Sequence, residues 1–248
     1  MLERWIFKAE EELNFFKLFV EIFFLVILLS GINYLLGGNF IFLVALTSVT
    51  LAYPITKYIR RQDHLDLERF DDKKNFFERI EKELIVGWCL FLAVTSAFIV
   101  SYPLLKDVSL QANFYNSISG AITHPEMGFL GILSHNIYVA LIVGLISLIS
   151  TSGLIFTLTW NSSILVYVIV KAANFSESLG VFLGSIGHGL LEIAGYIFIG
   201  LAASLISYRF ERYKRYPNSV NKTFAKDIWI MTAISISFIF FAALFEVL

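Results

Sequence analysis

The sequence predicts an all-α polytopic transmembrane helix bundle, on three observations. The 248 residues are 57% hydrophobic and only 16% charged, against about 25% charged in a soluble domain. Their mean hydropathy is +0.74. The few charges gather in short blocks between apolar runs, several of them close to the ~20 residues that cross a bilayer core as a helix. A soluble globular chain is excluded on these grounds. The net charge of −1 supplies no field to steer nucleic acid, so no nucleic-acid partner is expected.

The elements follow in order. Residues 1–15 read as an interfacial amphipathic helix, with Trp5, Ile6, Phe7 and Leu13 able to lie at the membrane surface. Their mixed charges and the lack of a small-residue cleavage site do not fit a secretory signal, so the first apolar run is expected to stay as a helix. That span covers about 16–36, and Gly37-Gly38-Asn39 is a turn signal. A second span covers about 40–57. Residues 58–84 interleave acids and bases at helical spacing and form a charged, solvated helical segment extending both neighbours. A third span covers about 85–105, then a polar loop over 106–134.

The fourth span is expected over 136–160. Within residues 161–183 the apolar run Ile164 to Val170 is short, and Lys171, Asn174, Ser176 and Glu177 then interrupt it. They read as a short or broken membrane segment, which survives at membrane depth only when protein covers it. Spans over 184–208 and 227–247 complete six to seven crossings in one integral membrane domain.

Basic residues orient the chain. Eight Lys and Arg fall in 57–82 and six in 209–226, whereas the loop 106–134 holds only Lys106. The basic segments are therefore expected in the cytoplasm, with the loop outside. A cytoplasmic N-terminus and seven crossings put the C-terminus outside the cell membrane. That parity depends on 161–183 crossing.

No nucleotide-binding glycine motif, paired Cys-x-x-Cys or His-Glu-x-x-His occurs. The single cysteine, Cys89, lies in an apolar run and reads as a core thiol. The chemistry-bearing stretch is Gly184–Gly195. There His188 and Glu192, four apart, share one helical face, with Gly187, Gly189 and Gly195 placed to let other helices approach closely. Ionisable groups inside a span are costly and ordinarily face a bundle interior or cavity. Three roles are open to this pair: a structural contact pinning two helices, a proton or ion pathway, or a metal site. His135-Asn136 at the start of the fourth span, and His124 and Glu126 in the loop, are further candidates. If His135 joins His188 and Glu192, the set suits zinc. Asn161 is expected to cap the broken segment. Glu21 and Glu246 read as boundary residues, and His64 as a solvated one.

The run from His135-Asn136 through Gly153 to Asn161, followed 27 residues later by His188-Gly189 and then Glu192, resembles the stage II sporulation protein M family of integral membrane proteins. Gly187 replaces a family proline, and Ser162 a family glycine. The resemblance covers roughly 135–208. It implies a functional centre at His188, Glu192, Gly189, His135, Asn136 and Asn161. It also implies a scaffold or partner-binding role in a membrane complex, with other membrane proteins or a second copy of the chain as partners alongside the lipid bilayer. An intramembrane metal-dependent hydrolase and a transporter component are the rival readings, so the sequence leaves open whether the chain is an enzyme.

Overall fold

A computed structural model describes residues 15–66, 75–105, 107–109, 111–113, 128–150, 152–174, 179–213 and 222–247. The expected interfacial helix over 1–15 lies almost wholly outside them, as do His124, Glu126 and most of the 106–134 loop. The described chain is helical: α1 (Phe15–Leu35), α2 (Phe40–Asp66), α3 (Phe76–Ser101), α4 (Phe129–Ile149), α5 (Ser152–Asn174), α6 (Leu179–Tyr213) and α7 (Lys222–Val247). Each contains a stretch long and apolar enough to cross a membrane, and there are seven such stretches among the described residues.

Local chemistry sets the helix ends. Gly37 and Gly38 adopt φ of +122° and +75°, a backbone open to glycine and strained for most other residues. They close the α1–α2 turn, after which Asn39 accepts from the amides of Ile41 (2.9 Å) and Phe42 (3.3 Å) to start α2. The charged segment extends both of its neighbours as expected: α2 runs on to Asp66, and α3 begins at Phe76. Asn75 and Glu78 form a reciprocal capping box there, with Glu78 N donating to Asn75 Oδ1 at 3.0 Å and Asn75 N to Glu78 Oε2 at 3.1 Å.

The chain breaks eleven residues earlier than the sequence suggests. The expected fourth span of 136–160 stops at Ile149, and Ser150 is extended (φ −155°, ψ 135°). Ser150 Oγ accepts from Ser152 N (3.2 Å) and Ser150 O from Gly153 N (2.9 Å), so α5 starts at once. Gly153 makes the tight corner possible, because a Cβ there would lie 2.9 Å from Ser147 N. Conversely, α5 continues through Asn161, where a break was expected. Its polar side chains are satisfied along the helix: Thr157 donates to Gly153 O (2.9 Å), Thr159 to Ile155 O (2.8 Å) and Asn161 Nδ2 to Thr157 O (2.8 Å). Asn161 therefore lies inside a helix and caps nothing.

Helix α5 is the hinge of the packing, touching α2 and α3 on one side and α4 and α6 on the other. Helix α1 packs on α3, while α6 packs on both α4 and α7. The larger buried cluster runs through α1–α3, α5 and α6 and takes in Phe224 and Met231 of α7, and a smaller one joins Ala140 and Val143 of α4, Tyr196 of α6 and Ile239 of α7. At one end of the bundle, Phe40 N donates to Asp107 O (3.1 Å), tying the α1–α2 turn to the chain beyond α3. At the opposite end, Arg79 of α3 grips Asp227 of α7 through two bonds of 2.6 and 2.7 Å. Both side chains are at most 9% exposed. Thr95 and Ser162 join α3 to α5 by a hydroxyl pair at 3.0 Å.

Candidate functional site

The site lies where α4, α6 and α7 meet, in the half of the bundle from which α4 and α6 start. Two contacts set its register. Gly144 faces Ile199 and Asn136 meets Glu192, so α4 and α6 run parallel. Gly195 faces Ile239, and Gly187 faces Phe245, so α6 and α7 run antiparallel.

Asn136 is buried on α4, and its Nδ2 donates to Glu192 Oε1 of α6. This bond crosses from helix to helix and supplies the polar partner an intramembrane carboxyl needs. One turn before Glu192 is His188, partly exposed, which makes an interaction of its own. One turn after it is Tyr196, 3% exposed, which feels the charge of both Glu192 and Glu246. Glu246 also acts on Glu192 by its charge. His188, Glu192 and Tyr196 thus make one stripe of α6, facing Asn136 from one neighbour and Glu246 from the other.

His135 does not join this group. Consecutive helical residues point about 100° apart, and because Asn136 takes the inward position, His135 is exposed. Among the described residues, no three His, Cys, Asp or Glu side chains gather in a way that could hold a metal ion. The zinc-suited set of His188, Glu192 and His135 is therefore not assembled. Asn161 is used within α5. The expected close helix contacts are met at Gly195, whose added Cβ would lie 2.8 Å from Ile239 Cγ1 and 3.2 Å from Ser235 O. Gly187 is in ordinary contact with the Phe245 ring, at 3.4 Å. Gly189 is the exception, since a Cβ there would meet nothing within 4 Å. Cys89 is fully buried, as a core thiol should be.

Sequence reasoning missed two members. Tyr196 was legible from its four-residue step beyond Glu192. Glu246 was read as a boundary residue, and only the antiparallel register of α6 and α7 brings it to the site.

Fold and site together define a multi-pass helical membrane protein with a polar junction inside its span region. A family model described as stage II sporulation protein M matches residues 83–248, and the chain belongs to that family. The match starts within α3, leaving α1 and α2 outside it. Neither the curated proteins nor the solved structures provide a match.

Proposed function

We propose that the chain acts as a scaffold or partner-binding component of a membrane complex. The observation that carries this reading is the Asn136–Glu192 bond. In this reading the polar centre holds α4 against α6 and so shapes the face the bundle offers a partner. Membership of the family supports it further. The basic segments 57–82 and 209–226 face the cytoplasm in this reading, and the α3–α4 connection faces outward. Seven candidate spans keep both basic segments on one side, because α5 supplies the crossing on which the parity depends.

The test is purification of the tagged chain from its native membranes in mild detergent, comparing wild type with Asn136→Leu. A defined set of co-purifying membrane proteins, or a second copy of the chain, is expected with wild type and reduced in the variant. Wild-type chain that purifies alone and as a monomer would defeat the reading. Stoichiometric zinc by elemental analysis, lost in Glu192→Gln, would favour a metal site instead.

A further inference from the structure

The uneven covering of α6 has a chemical consequence at its polar stripe. From Ile193 to Leu205 every residue of α6 except Ile199 is buried. From Ile186 to Glu192 every residue is partly or fully exposed, and Gly189 has nothing near it. The uncovered stretch is the one bearing His188 and Glu192. On α7 the neighbouring residues are open too: Phe245 is 56% exposed and Val247 51%. Intramembrane carboxyls ordinarily turn toward a bundle interior or a cationic partner, and here they border an open face.

The charges at this face are one-sided. Among the described residues, the charged group acting on Glu192 is Glu246, another carboxyl. Asn136 occupies Oε1 of Glu192. Tyr196 is nearly buried beside both acids. Residues 129–149 of α4, 186–207 of α6 and 228–247 of α7 contain no lysine or arginine. Lys171 ends α5 with an interaction of its own and is not among the groups acting on Glu192. The histidines of the area are His188, already engaged, and His135, exposed on α4.

We propose that this face of α6 and α7 docks a transmembrane helix of a partner protein carrying one lysine or arginine, whose cationic head sits between Glu192 and Glu246 beside the Tyr196 hydroxyl. The proposal rests on the partner-binding reading and names the chemistry of the partner. A basic side chain fits on three counts. It neutralises two carboxyls that hydrocarbon penalises. It offers several N–H donors, enough for both acids and the phenol oxygen. Its helix covers the apolar surface around them. Depth is also defined, since Glu192 lies six residues into the candidate span that starts at Ile186, or about 9 Å at 1.5 Å per residue.

The experiment uses the full chain in phosphatidylcholine nanodiscs. Added to it is a fluorescent poly-leucine transmembrane peptide bearing one lysine about six residues from its outer end, or leucine there as control. Energy transfer reads association. The lysine peptide should bind about ten-fold more tightly than the leucine peptide. Glu246→Gln, which leaves the Asn136–Glu192 bond in place, should erase most of that preference. Glu192→Gln with Glu246→Gln should erase all of it, with helicity and thermal midpoint measured beside each variant. Equal binding of the two peptides marks the face as lipid-covered and overturns the proposal. A lysine preference that survives in Glu246→Gln also overturns it, as does displacement of the peptide by a second copy of the chain. Failure here leaves the co-purification result untouched, so the two readings fall separately.

Discussion

Glu192 is tolerated in a membrane helix because Asn136 reaches it from the neighbouring helix. Asn136→Leu removes that donor and leaves a carboxyl without its partner, a loss of about 1–3 kcal/mol. Thermal unfolding in detergent should show the drop. The double change Asn136→Leu with Glu192→Leu should recover part of it, giving a coupling energy that two independent sites would lack. A second residue-scale expectation concerns Asp107, at the corner that ties α1 and α2 to the chain beyond α3. Its carboxylate accepts from Ser109 N at 2.9 Å, and this bonding with Ser109 holds its pKa below the usual carboxylate range. Its stabilising effect is therefore present above the ordinary carboxylate pKa and is lost as pH falls through the lowered value. Amide exchange at Phe40, which donates to Asp107 O, should quicken on acidification, and Asp107→Asn should remove that pH dependence. At this scale the sequence singled out Glu192, His188 and Asn136, because charge and amide groups inside apolar runs are conspicuous. It could not tell Asn136 from His135 as the inward residue. The two are adjacent, and only the rotation of α4 about its axis chooses between them.

Among the helices, small residues mark where backbones meet, though not at every glycine. Gly195 lies against Ile239 and the Ser235 carbonyl, and Ser235 Oγ donates to Gly195 O at 2.8 Å. Gly195→Ala inserts a methyl where 2.8 Å is available, an overpacking cost of about 1–3 kcal/mol. Gly189→Ala meets nothing and should gain up to about 1 kcal/mol from helix propensity. Thermal midpoints of the two variants should move in opposite directions, and a similar fall in both would remove this packing account. The glycines of one run look alike in sequence, so the difference between 189 and 195 comes from where α7 crosses α6. The α4–α5 break was misread for a related reason. The polar residues Thr157, Thr159 and Asn161 look like interruptions, yet each bonds one turn back within α5. The serines at 150 and 152, inconspicuous in the text, hold the actual corner.

At the scale of the whole molecule, two groups of helices meet through α5. Arg79 and Asp227, 148 positions apart in the sequence, connect α3 to α7 across that division. Asp227→Ala takes two charge-assisted hydrogen bonds from a nearly buried guanidinium and should cost about 1.5–3 kcal/mol, read as a lowered unfolding midpoint. Arg79→Leu with Asp227→Leu should lose much less. Orientation is tested with single cysteines introduced into a Cys89→Ser background. Glu81, near the start of α3, and Asn113, in the chain beyond its end, are both exposed. In intact cells, a membrane-impermeant thiol reagent should label Cys at 113 and spare it at 81. The reverse pattern would invert the proposed topology.

The sequence by itself determined that the chain is a helical membrane protein, roughly where it crosses, and which family it resembles. These properties are written in run length, charge spacing and residue type, all of which are local along the chain. The same locality exposed the His188–Glu192 stripe, since a four-residue step is fixed by helix geometry alone. Only the tertiary structure decided that Asn136 is the partner of Glu192, that Glu246 comes alongside, that Arg79 finds Asp227, and that α6 is less covered from Ile186 to Glu192 than beyond it. Each of these depends on the rotation and register of one helix against another. In a membrane, hydrocarbon is as apolar as the helix surfaces themselves, so hydrophobic pattern sets neither quantity. Close packing and a few interhelical hydrogen bonds set both.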